Sequence, residues 1–143
     1  MRDVRKMAEI LPFAEAALNA GGCFRLWPSG RSMLPLLREG HDSVLLLPPT
    51  DLRPLDILLV QAPDGQFYLH RAVRLTETDV TLAGDALLTT EGPYPLSCVL
   101  GRVGCVFHGE REYDPRSRRA YRYARRRILR RRLLSLLRRF VRK

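Results

Sequence analysis

Between Cys23 and Phe107 the apolar residues fall into short runs cut by glycine and proline, and this punctuation restricts the fold more than any other property of the chain. The runs at 23–27, 43–47, 56–62, 66–75, 79–83 and 98–107 are rich in Val, Leu and aromatic residues and have the composition of strands. Pro48-Pro49, Pro63-Asp64-Gly65 and Glu91-Gly92-Pro93 separate them and read as turns. Pro63-Asp64-Gly65 lies between two strand-like runs, which predicts a hairpin whose second strand carries His70 towards its far end. Ahead of the runs, Val4, Met7, Leu11, Ala14 and Leu18 recur at three- and four-residue spacing, so a helix is expected over 4–20, with Asp3 as N-cap and Gly21-Gly22 as its stop. The expectation is a small, mainly β, mostly antiparallel fold with a helix before it and another after it.

With 143 residues, 45% of them hydrophobic, the chain can bury one core and not two. Its formal charge of +10 is unevenly placed. Residues 1–110 hold 10 Lys/Arg against 13 Asp/Glu, a net of −3, whereas residues 111–143 hold 15 against 2, a net of +13. The composition therefore divides the chain into a helix at 1–21, a β domain at 22–110 and a basic tail at 111–143. Within the tail, a helical wheel over 129–143 groups Leu129, Leu133, Leu134, Leu136, Leu137, Phe140 and Val141 on one side. Arg131, Arg132, Arg138, Arg139, Arg142 and Lys143 lie opposite, and Arg130 alone intrudes on the apolar side. Such a helix is too short and too charged to span a bilayer and suits an anionic membrane surface. Packing on the β domain, pairing with a second copy and nucleic-acid binding are its other uses, and nucleic acid ranks below the membrane surface because phosphate binding needs no leucine face.

One set of residue types points to covalent chemistry. Ser32 stands in Ser29-Gly30-Arg31-Ser32-Met33-Leu34-Pro35, His70 follows 38 residues later, and Asp85 follows Gly84, 53 residues after the serine. A serine hydroxyl needs a base within hydrogen-bond reach, and that base needs a partner that fixes its tautomer; Ser32, His70 and Asp85 supply those three types. Each also has an ordinary reading. Ser-x-x-Pro is the pattern of a turn capping a short helix, here 34–38; a strand histidine can simply bond a carbonyl; and an aspartate after glycine is a common turn residue.

The boxes Gly30-Arg31-Ser32-Met33-Leu34-Pro35-Leu36-Leu37, Asp56-Ile57-Leu58-Leu59-Val60, His70-Arg71-Ala72-Val73, Gly84-Asp85-Ala86 and Leu100-Gly101-Arg102-Val103 occur in that order. In sequence and order they resemble the motif boxes of the type I signal peptidases and their LexA-type relatives, over residues 22–108. The resemblance implies that family's small β fold, Ser32 as nucleophile and His70 as general base. Most bacterial signal peptidases carry Lys at the base, so His70 makes the chain more similar to the archaeal and endoplasmic-reticulum type, described as Ser-His-Asp enzymes. It further implies a serine endopeptidase without cofactor or metal that takes an extended peptide or protein along a β edge and cuts after a small residue. Asp85 is the first choice for the acid and Glu91 the reserve, because the His-type relatives carry a second Asp about six residues beyond the Gly-Asp box. Ser29, Gly30, Arg31 and Met33 are the candidates for oxyanion and substrate contacts. Where many bacterial members have a helping serine two residues before the nucleophile, this chain has Gly30, which leaves the backbone N–H of Ser32 as the oxyanion donor and Ser29 as the second candidate. Self-cleavage in the LexA manner, for which Ala20-Gly21 is a conceivable bond, is one alternative. A non-catalytic basic module that grips anionic membrane or nucleic acid is another.

The membrane members of that family begin with a hydrophobic anchor, whereas residues 1–20 contain Arg2, Asp3, Arg5, Lys6, Glu9 and Glu15. The expectation is a cytoplasmic protein, peripheral on the inner membrane face, with neither a spanning segment nor a cleavable signal. Cys23, Cys98 and Cys105 form no Cys-x-x-Cys pair, and with His108 nearby a zinc site still lacks its fourth ligand, so reduced, buried thiols are expected.

Overall fold

In a computed structural model, which describes residues 4–141, the chain forms one antiparallel sheet with a helix at each end. Helix α1 (Val4–Asn19) buries Met7, Ala14 and Leu18, the face expected from their spacing. Gly21 N–H bonds the Leu18 carbonyl and Gly22 N–H the Ala17 carbonyl, with Gly21 at φ +79°, so the glycine pair closes the helix in a Schellman motif. Asp3, expected as its N-cap, lies outside the described residues. Ala20-Gly21 is therefore held in a hydrogen-bonded cap and is not extended.

The strands are β1 (Phe24–Leu26), β2 (Asp42–Leu47), β3 (Ile57–Gln61), β4 (Phe67–Leu75), β5 (Asp79–Ala83), β6 (Glu91–Pro95), β7 (Val99–His108) and β8 (Arg111–Tyr113). Their order is β1-β2-β7-β3-β4-β5-β6, with β8 pairing the end of β7. The expected hairpin joins β3 to β4: Gly65 takes φ +90°, Gln66 N–H bonds the Asp64 carboxylate, and His70 lies opposite Leu58. Central strand β3 is buried on both faces. Ile57 and Leu59 join a large core with Met7, Leu18, Leu46, Phe67 and Val103, while Leu58 and Val60 join a second cluster with Ala72, Val80 and Leu82.

Three expectations change. Glu91-Gly92-Pro93 is not a turn but the start of β6, an edge strand on β5, where a proline costs no ladder bond that a central strand would need. The short helix that Ser-x-x-Pro would cap at 34–38 is a single turn, closed by Leu37 N–H on the Met33 carbonyl. The basic tail is not an appendage either. Residues 111–113 are β8, and from Arg118 to Val141 the chain is one 24-residue helix, α2. Ser117 caps it through Ala120 N–H.

Two part-buried arginine clamps fix α2 to the sheet. Arg116 places Nε and a terminal nitrogen on the two oxygens of Asp56, at 2.9 and 2.8 Å, and also reaches the Asp51 carbonyl. Further along, Arg127 donates twice to the Asp85 carbonyl, at 3.0 and 2.9 Å, while Ala120 and Ala124 are buried against the domain. Small alanines at that face let the helix approach closely. No helix among the described residues is long and apolar enough to cross a membrane.

Candidate active site

Ser32 sits on the loop between β1 and β2, His70 in the middle of β4 and Glu91 at the head of β6. In a strand, alternate residues share a face, so Tyr68, His70 and Ala72 face one side of the sheet while Leu69 and Arg71 face the other. On the first side His70 Nε2 lies 2.9 Å from Ser32 Oγ, and His70 Nδ1 lies 3.0 Å from Glu91 Oε2. Hydroxyl, imidazole and carboxylate form one continuous chain. With Glu91 ionised as an acceptor, Nδ1 carries the proton, and Nε2 then presents its lone pair to the serine. His70 is 3% exposed and the Glu91 side chain 16%, so the pair is shielded while the serine end opens into a cleft of about 470 Å³. Ser29, Gly30, Arg31, Leu34, Tyr68 and Leu87 are among its walls.

Asp85, the first choice for the acid, does not meet His70. Its carboxylate accepts from Arg71 Nε at 2.8 Å and from the Arg71 terminal nitrogen at 2.7 Å, with both side chains almost fully buried. Arg71 gives its remaining terminal nitrogen to the Leu55 carbonyl and lies over the Tyr123 ring of α2. Burial works against the charge on Arg71, but the Asp85 carboxylate outweighs it and raises the guanidinium pKa. The correction follows from the sheet: Arg71 faces the side of β4 opposite to His70, and Asp85 emerges from β5 on that same side. Glu91, the reserve, is brought to His70 because β6 pairs with β5 and sets Glu91 opposite Leu82.

The Gly84-Asp85-Ala86 box still serves the site, as the support of its serine loop. Ala86 N–H donates to the Ser32 carbonyl at 3.0 Å, and Asp85 N–H approaches the Met33 sulfur at 3.4 Å. A Cβ at Gly84 would come within 2.5 Å of the Ser32 carbonyl oxygen, so only glycine lets the two loops touch. Gly30 turns at φ +90° immediately ahead of Arg31, which is exposed at the mouth of the cleft. Met33 is buried and forms part of the wall of a hollow of about 10 Å³ beside Ser32, together with Pro28, Ser29, Leu37 and Leu69.

Sequence reasoning passed over the tyrosines. Tyr68 lies 5.4 Å from His70 between ring centres and stacks on Tyr94 at 6.1 Å, and burial, then the neighbouring Tyr68, pushes the Tyr94 phenol up to about 12. Strand periodicity could have found Tyr68, which is two residues before His70 and on its face; Tyr94 could not be found while its segment read as a turn. Of the cysteines expected to be buried, Cys23 is exposed and Cys98 and Cys105 are only half-buried, and among the described residues no three His, Cys, Asp or Glu side chains are grouped for a metal ion.

Comparison of the chain with protein-family models, with curated proteins and with solved structures returns no match.

Proposed function

We propose that this protein is a serine endopeptidase of the signal-peptidase-like kind, acting through Ser32, His70 and Glu91. The observation that carries the reading is the hydrogen-bond chain from the Ser32 hydroxyl through His70 to Glu91, set at the wall of an open cleft. The five sequence boxes add to it. His70 takes the Ser32 proton as Oγ bonds to the scissile carbonyl carbon, and the negative charge on the carbonyl oxygen is met by the Ser32 N–H. Collapse breaks the C–N bond, and His70 returns the proton to the departing amine. A water, deprotonated by the same imidazole, then releases the acyl group from Ser32. Glu91 holds the tautomer throughout and stabilises the imidazolium.

The hollow next to Ser32 has room for about one water-sized sphere, which limits a substrate side chain placed there to something methyl-sized. This suits cleavage after small residues. The substrate is an extended peptide or protein segment, bound largely through its backbone along a sheet edge. Self-cleavage at Ala20-Gly21 would require the cap of α1 to unwind first, since a scissile segment has to be extended. The experiment is labelling with a fluorophosphonate serine probe: the native chain should be modified at Ser32, and Ser32→Ala should not react. A native protein that stays unlabelled, while a general serine hydrolase reacts in the same tube, would sink the proposal.

A further inference from the structure

The outer face of the second half of α2 is used neither by the core nor by the cleft. Leu129, Leu133, Leu136, Leu137, Phe140 and Val141 are each at least 50% exposed, and they account for six of the eight exposed large hydrophobic residues among those described. At about 100° per residue Leu129, Leu133, Leu136 and Phe140 lie nearly opposite the face on which Ala120, Ala124 and Arg127 meet the domain, while Leu137 and Val141 extend the stripe round towards the domain, where they line a cleft with Leu88. The structure thus separates two functions of one helix. Its first half is pinned to the sheet, and its second half presents an apolar stripe outward.

The charges around the stripe narrow what can cover it. Arg132 and Arg139 border one side, Arg130 lies within the stripe between Leu137 and Val141, and no Asp or Glu occurs anywhere from 115 to 143. Two copies meeting through this face would bring arginines against arginines with no acidic side chain on either helix to pair them. Nucleic acid would satisfy the arginines and leave the leucines in water. Anionic lipid satisfies both, with the apolar residues below the headgroups and the guanidinium groups on the phosphates. Leu134, grouped with the stripe on the sequence wheel, is half-buried instead and belongs to the domain side.

We infer that the stripe from Leu129 to Val141 docks the protein on an anionic lipid bilayer, with α2 lying in the plane of the interface. Arg127 ties the same helix to the carbonyl of Asp85, beside the Ala86-Leu87 wall of the cleft, so docking sets the orientation of the cleft to the membrane. The inference is independent of the peptidase chemistry and is tested without it.

The test is co-sedimentation of the full chain with phosphatidylglycerol vesicles and with phosphatidylcholine vesicles, alongside an RNA gel-shift and sedimentation velocity. The native chain should bind phosphatidylglycerol, bind phosphatidylcholine much less, and release with salt. The triple variant Leu133→Ser/Leu137→Ser/Phe140→Ser should lose at least about tenfold in vesicle affinity at low salt, since each buried methylene contributes appreciably. Phe140→Ser alone, which alters a side chain 75% exposed, should lose several-fold and guards against misfolding of the triple variant. Vesicle binding unchanged in both variants would overturn the inference. So would native protein that binds RNA but not vesicles, or a dimer that the substitutions split while vesicle binding stays absent.

Discussion

The two faces of β4 handle the same chemistry to opposite ends. On one, His70 meets Glu91; on the other, its chain neighbour Arg71 meets Asp85. Both are cation-forming groups beside carboxylates. The His70 side has a titratable ring with one nitrogen left for Ser32 and a cleft in front of it, so a proton can move. On the Arg71 side the guanidinium cannot release its proton, both carboxylate oxygens are occupied, and the pair is almost wholly buried. A buried bidentate pair fixes geometry. An imidazole between a hydroxyl and a partly shielded carboxylate can run a reaction. The contrast shows that a carboxylate in a family-like box is not an acid of the site until its side of the sheet is known.

Removing either end of the reactive chain tests the first face most severely. Ser32→Ala and His70→Ala should each lower turnover on the order of 10⁴-fold or more, and the double variant should be little worse than either. Losses that multiply would show that the two side chains do not act as a unit.

The two carboxylates should then part company. Glu91→Gln should cost roughly 10³-fold in kcat with an almost unchanged melting temperature, because it spoils the tautomer of His70 and little else. Asp85→Asn should leave Arg71 a buried, uncompensated charge, at about 3–5 kcal/mol of stability, with activity per folded molecule largely kept. Denaturant unfolding and kcat on the same samples separate them. A folded, inactive Asp85→Asn beside an active Glu91→Gln would reverse the assignment and erase the contrast between the faces.

Smaller effects sharpen the link between the faces. Gly84→Ala forces a Cβ against the Ser32 carbonyl, and the displaced nucleophile should cost roughly 10²-fold in kcat/KM, read by turnover at a temperature where the variant is folded. Arg127→Ala should be mildest, at about 1.5–3 kcal/mol for a charged donor lost from a carbonyl, with slower probe labelling only near the melting transition. Ending the chain at Glu110, by contrast, removes β8, the Arg116 clamp and α2 together, so the remainder should not melt cooperatively at the native temperature.

Much of this was legible in the residues themselves. The face of α1, the glycine stop after it and the Pro63-Asp64-Gly65 hairpin rest on periodicity and turn chemistry, which act over a few residues and leave their mark on the sequence; that Ser32 and His70 belong together was suggested by residue type and by the resemblance of the sequence boxes, not by any local pattern. Which carboxylate meets His70 was not legible. It depends on Glu91-Gly92-Pro93 being an edge strand, and a proline-bearing edge carries a turn's composition because strand status there comes from the neighbour β5. The tail divides in the same way. Its leucine spacing set a stripe, but that β8 joins the sheet, that Arg116 finds Asp56 and that Leu129, Leu133, Leu136 and Phe140 face away from the domain while Leu137 and Val141 flank Leu88 were decided by packing. Local propensity and pattern are properties of the chain in order; which side of a sheet a carboxylate reaches, and which face of a helix is left bare, are set only when distant segments meet.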